Sequence, residues 1–134
     1  MITNAEITIF NKFADRKQRK MVYVPHYIPQ VWLHSAMKTA VGQGGISAAS
    51  EYKIRIPFPQ DGWLPPNDFR DLAETKENWT VQDGDFFIVG KWEGENVEGI
   101  AEIKKKFLGV SGMILNHSEN FFGSYPHIRI GGGD

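Results

Sequence analysis

The chain has 134 residues, no cysteine, and fifteen Lys plus Arg against sixteen Asp plus Glu, for a formal net charge of -1. That is one domain's length, and a 41% hydrophobic, 13% aromatic composition suits a chain with a core, which excludes intrinsic disorder. The near-zero charge excludes a global field toward nucleic acid or anionic lipid, and the missing cysteines exclude a disulfide framework or a thiolate zinc centre.

Ile2, Ile7, Ile9 and Phe10 lie in an apolar and threonine-bearing run. A basic stretch, Arg16-Lys17-Gln18-Arg19-Lys20, separates it from Met21-Val22-Tyr23-Val24. β-Branched and aromatic residues fit a half-buried pleated surface, whereas like charges stay in water, so the chain is predicted to begin as a β-hairpin with a charged tip. From Val22 to Val41 the prolines Pro25 and Pro29 interrupt an apolar segment. It reads as one or two strands with the prolines at an edge or bulge, followed by a flexible turn at Gly42-Gln43-Gly44-Gly45.

Strict alternation over Glu51 to Ile56, with Tyr52, Ile54 and Ile56 on one side, predicts a half-solvated strand ended by Pro57 and Pro59. Asp61 to Asp68 is turn-rich, and Phe69, Leu72 and Ala73 suit one short helical turn. Trp79-Thr80-Val81 and Phe86-Phe87-Ile88-Val89 flank Gln82-Asp83-Gly84-Asp85, a hairpin signal, and the second run is expected to be the most buried strand.

Val97 to Leu108 carries Ile100, Ile103 and Phe107 on one helical face, with Asn96 placed to cap the start and Gly109 to end it. Lys104, Lys105 and Lys106 would complement the helix dipole. Val110 to Leu115 and His127 to Ile130 read as closing strands around an Asn116 to Pro126 loop, and the Gly131-Gly132-Gly133-Asp134 end is expected to fray. The whole is a single mainly β (α+β) domain over 1–134. Its expected form is an antiparallel small barrel or sandwich with one late α-helix over an open side or end.

Chemistry is sparse. His26, His34, His117 and His127 lack metal-ligand spacing, and the glycine loop lacks the lysine and hydroxyl of a phosphate cradle. Ser111 has no nucleophile-elbow context, and Asp61, Asp68, Asp71, Asp83 and Asp85 sit where aspartate bonds its own backbone. The expectation is therefore no enzyme, no metal and no cofactor. Trp32, Trp63, Trp79 and Trp92 read as core or rim residues not interleaved with Arg or Lys. The tip is the candidate contact: Arg16, Lys17, Arg19 and Lys20 repel one another unless DNA or a neighbouring subunit faces them.

Several segments carry a resemblance. They are Asn4 with Ile7-Thr8-Ile9-Phe10-Asn11-Lys12-Phe13, then Val22-Tyr23-Val24, Val81-Gln82-Asp83-Gly84-Asp85 before Phe86-Phe87-Ile88-Val89-Gly90, and Phe122-Gly123-Ser124 with Pro126-His127-Ile128-Arg129-Ile130-Gly131-Gly132. In that order they resemble a family of small uncharacterised proteins of tailed bacteriophages and prophages. More distantly, the chain resembles siphophage head-closure, or head-tail connector, proteins. That resemblance implies a virion structural protein forming a homo-oligomeric ring beside portal and tail proteins, with non-specific DNA contact a further option and no membrane partner. The protein would be found in the host cytoplasm during assembly and then in the virion. The start lacks a secretory signal's basic and apolar regions, in keeping with that location. The alternative is a small β-barrel binding module for nucleic acid or protein.

Overall fold

A computed structural model describes residues 2–42, 45–75 and 77–133, with the side chains of residues 37–49 outside that description. The elements in chain order are β1 (Ala5–Asp15), β2 (Lys20–Gly42), β3 (Gly45–Pro57), α1 (Pro66–Arg70), β4 (Phe86–Val89), α2 (Ile100–Lys106), β5 (Ser111–Asn120) and β6 (His127–Gly133). The strands close in the order β1-β2-β3-β6-β5-β4, every neighbouring pair antiparallel, with β4 returning to β1. Closure removes the sheet edges that an open meander would expose.

Alternation sorts the side chains into two apolar clusters. Ile7 and Ile9 of β1, Ile54 and Ile56 of β3, Phe87 of β4 and Ile128 and Ile130 of β6 fill the barrel interior with Trp79 and Val81. Phe10 of β1 and Phe86 and Ile88 of β4 point outward, and Val97 and Ile103 cover them. Strand β1 is thus buried on both faces, and α2 lies against the barrel wall.

The opening hairpin forms as predicted, in register from Asp15 opposite Lys20 to Ile7 opposite Ile28. The long segment after it is one strand whose two halves have different partners: residues up to Val31 pair with β1, and from Trp32 onward they pair with β3. Pro25 falls in the half where β3 does not pair, and Pro29 lies at a register shift between Ile28 and Val31. Each proline therefore sits where a missing N–H breaks no β2–β3 ladder bond. The Glu51 to Ile56 alternation also holds, with Tyr52, Ile54 and Ile56 buried and Lys53 and Arg55 exposed. Gly42 opposes Gly45 as the last described pair of β2 and β3, while Gln43 and Gly44 of the expected turn lie outside the described residues.

Five local expectations fail. Trp79-Thr80-Val81 does not pair with Phe86–Val89. Trp79 instead bridges Trp63 in parallel, and β4 is claimed by β1 and β5. The helix starts at Ile100, because Val97 exchanges both backbone hydrogen bonds with Tyr23, at 2.7 and 3.0 Å, leaving Gly99 rather than Asn96 at the cap. It ends at an extended Phe107, not at a left-handed Gly109. Strand β5 runs on to Asn120, which shortens the expected loop. Gly131, Gly132 and Gly133 do not fray, since β6 pairs with β3 and β5 through Gly133. A Cβ on Gly132 would come within 2.7 Å of the Phe87 ring, so the bare backbone there makes room for a core aromatic. Asp134 lies outside the described residues.

The 58–85 connection closes the end of the barrel beneath the charged tip. Phe58 stacks on Phe121 at 4.3 Å, Trp63 meets both edge-on, and Phe69 of α1 packs edge-on against Phe13 at 5.6 Å. Trp79, fully buried, donates its indole N–H to the Asp61 carbonyl at 2.9 Å.

Candidate interaction surfaces

The tip is a four-residue turn, 16–19, between β1 and β2. One Asp15 carboxylate oxygen accepts the backbone N–H groups of Lys17 and Gln18 at 3.0 and 3.2 Å, an aspartate turn that sets the loop's direction. Arg19 closes the loop at φ 54°, in the left-handed region. Lys20 Nζ lies 2.7 Å from Glu98 Oε1. Their hydrogen bond and mutual charge raise the Lys20 pKa and lower that of Glu98. Arg16, Lys17 and Arg19 are exposed. The four predicted residues do stand together, but acids surround them: Asp15, Glu95, Glu98 and Glu102 line one depression beside the tip, and Glu74 another with Arg16 and Lys17.

A buried polar node lies below the tip. Asn11 Nδ2 donates to the Thr80 carbonyl at 2.8 Å and to Asp85 at 3.0 Å, while Asn11 Oδ1 accepts the Thr80 N–H at 3.0 Å. Asp85 also accepts from the Lys12 backbone at 3.2 Å and from Gln82 at 2.9 Å. Burial raises the Asp85 pKa, against hydrogen bonds from Asn11 and Gln82 that lower it. The expectation that Asp85 bonds its own turn is corrected: the carboxylate is 2% exposed and ties the 79–85 strap to β1. With its acceptor sites this well occupied, it is built for anchoring.

On β2, His26 stacks on Trp79 at 5.0 Å, and burial lowers its pKa. His117 Nδ1 meets Asp83 at 2.6 Å. Among the described residues no three His, Cys, Asp or Glu side chains group as metal ligands, and no helix is long and apolar enough to cross a membrane.

Two other surfaces were hidden in the sequence. Leu108, Val110, Met113 and Leu115 are all exposed, Leu108 almost completely at 96%. Met113 and Leu115 form an apolar shoulder on a cavity of about 200 Å³ that Phe86 and Ile100 also line. In addition, Trp32, expected as a core or rim residue, is half-buried and its ring lies 4.8 Å beneath the Arg55 guanidinium, a contact the sequence order does not show. Only the β2–β3 register, which places Trp32 opposite Arg55, brings the two together.

The barrel and its surfaces define a small, closed, antiparallel β-barrel protein whose described polar clusters tie structure together. The Family of unknown function (DUF6751) matches residues 2–133, and the chain belongs to that family. No curated protein and no solved structure matches it.

Proposed function

We propose that this protein is a structural subunit of tailed-phage or prophage morphogenesis, of head-tail connector or head-closure type, which acts by assembling with copies of itself and with neighbouring portal and tail proteins. The observation that carries this reading is the β2–β3 ribbon. The last β1 partner on β2 is Ala5, opposite Val31, and the last β6 partner on β3 is Gly133, opposite Glu51. Beyond those points β2 and β3 continue to pair with each other as far as Gly42 opposite Gly45. At about 3.3 Å per residue, the stretch beyond Glu51 and Ala36 adds an arm of roughly 20 Å. An isolated two-stranded ribbon is marginal in water, and its outer edges are templates for another chain, so an arm of this kind is suited to an interface.

The apolar shoulder at Met113 and Leu115 gives a second surface for such packing, because exposed apolar side chains grouped at a cavity mark sites of association. The order of segments along the chain supports the phage assignment. This reading gives no residue a catalytic role.

The test is mass in solution by light scattering, on the whole chain and on a variant in which residues 38–49 are replaced by an Asn-Gly turn joining Met37 to Ser50. A multimer that becomes a folded monomer on shortening is the expected result. A whole chain that stays monomeric at the highest attainable concentration overturns it.

A further inference from the structure

The outer wall formed by β2, β3 and β6 brings three cations, Lys53, Arg55 and Arg129, beside the rings of Trp32 and His34, whereas the other described cation-aromatic pair, Lys91 over Tyr27, has the Glu6 carboxylate on the same tyrosine. Trp32 and His34 of β2 stack in near-parallel planes, 6.0 Å apart with 10° between them. Opposite them across the strand pair stand Arg55 and Lys53 of β3, and Arg55 in turn faces Arg129 of β6. Lys53, Arg55 and Arg129 are exposed, and none belongs to a described ion pair. Glu51, two positions beyond Lys53, is the acid on this face of β3, and the cations outnumber it.

Below Arg55 an open cleft of about 450 Å³ is bordered by Ile2, Arg55, Tyr125 and His127. Hydrogen bonds hold the chain next to Ile2 and at His127. Asn4 bonds both the N–H and the carbonyl of Leu33, at 2.8 and 3.0 Å, and the Tyr125 carbonyl holds the His127 ring at 2.8 Å. Tyr125 itself is 66% exposed.

We infer that this wall binds a single strand of nucleic acid, with phosphates on Arg55, Arg129 and Lys53 and a base in the cleft against Tyr125. Three physical arguments converge. First, like charges directly opposite across a strand pair destabilise a sheet, and an anion shared by Arg55 and Arg129 reverses that repulsion. Second, a guanidinium laid on an indole keeps its in-plane N–H donors free, pre-oriented for two-point contact with a phosphate. Third, an exposed tyrosine beside a cleft offers a stacking platform to an unpaired base, which a duplex keeps inside its own stack. The tip answers none of these, since Lys20 is already paired and acids flank it.

The experiment is fluorescence anisotropy of a labelled oligothymidylate with the full chain, titrated in salt and compared with a duplex of equal length. Three phosphate contacts predict a log–log salt slope of roughly −2, at about −0.7 per contact. The double variant Arg55→Ser with Arg129→Ser should weaken binding about tenfold or more and flatten the slope by roughly 1.4. Tyr125→Ala, in an exposed loop, should weaken binding at least about fivefold while leaving the slope unchanged. A variant with Arg16, Lys17 and Arg19 changed to Ser should bind like the parent. Circular dichroism and melting checks on each variant separate lost contacts from lost folding. Absence of salt-sensitive binding, equal affinity for duplex, or a loss that follows the tip substitutions would overturn the inference. It does not depend on assembly: shortening the arm should leave strand binding intact, and losing the wall's cations should leave the mass intact.

Discussion

Strand β2 serves two hairpins, and they are secured in opposite ways. The hairpin that its first half forms with β1 is tied at several points to the rest of the molecule: Tyr23 to Val97, Lys20 to Glu98, Phe13 to Phe69, and Asn11 to Thr80 and Asp85. In its second half, paired with β3, the ladder runs on past the last described β1 and β6 partners, with β3 as its described strand partner. The basic tip that dominates the sequence thus belongs to the hairpin already engaged within the molecule. Charge density along a chain is a weak guide to function when the fold supplies counter-charges, whereas a ladder that outruns its barrel still has bonding capacity to offer.

The largest expected effect tests how firmly the first hairpin is held. Asn11→Ala removes three hydrogen bonds at a fully buried position and leaves Asp85 short of a donor. A loss of about 2–4 kcal/mol in denaturant unfolding is expected, by the usual penalty for buried polar groups left unpaired. Replacing residues 38–49 by a turn should change the same measurement by less than about 1 kcal/mol, since the described backbone pairing there joins β2 to β3 beyond the last β1 and β6 partners. If the two variants lose similar stability, the contrast between the hairpins fails.

Much of the β architecture was legible along the chain, and the reasons are local. Tyr52, Ile54 and Ile56 announce a strand because one face of β3 meets water and the other meets the core. Pro25 and Pro29 could be placed at an edge or bulge because a proline has no ladder hydrogen bond to donate. The failures all involve distant partners. Asp-Gly at 83–84 does mark a turn, yet Trp79 takes its backbone partners from Gly62 and Leu64, and Thr80 bonds Asn11, 69 residues away. The helix start is moved by Tyr23. Gly131 to Gly133 look like a loose end only until Asn116, Phe87 and Leu115 are placed over them. The cation-aromatic wall was invisible for the same reason, because it depends on the register between β2 and β3, which a glycine-rich connection leaves unspecified.

The next effect in size is a dependence on pH, and it separates two groups at the covered end. His26 has a folded pKa below its ordinary 6.5 because it is buried against Trp79. The unfolded chain therefore takes up this proton first, so the contribution is complete above pH 6.5 and is lost as pH falls below it. Asp85 has a folded pKa above its ordinary 3.8, so it works in the other sense. Its contribution is complete below 3.8 and is lost as pH rises through the folded value. Melting temperature should fall from pH 7.5 to pH 5.5 in the parent, and the fall should shrink in His26→Gln. An undiminished fall in that variant would show that another group carries the acid sensitivity.

The smallest effect lies at the tip and tests whether its cations are kept at some expense to the fold. Arg19 occupies a left-handed conformation, at φ 54°, that a glycine adopts freely and an arginine does not. Arg19→Gly relieves that strain, although part of the gain is returned because glycine loosens the unfolded chain, leaving a net stabilisation of about 0.5 kcal/mol. Arg19→Lys retains the charge and the strained backbone and should leave the midpoint of unfolding unchanged. If both variants are neutral, the turn relaxes in solution and Asp15 alone sets its shape. If the glycine variant is the more stable, an arginine holds this position against the local backbone preference, with the rest of the hairpin supplying the stability that permits it.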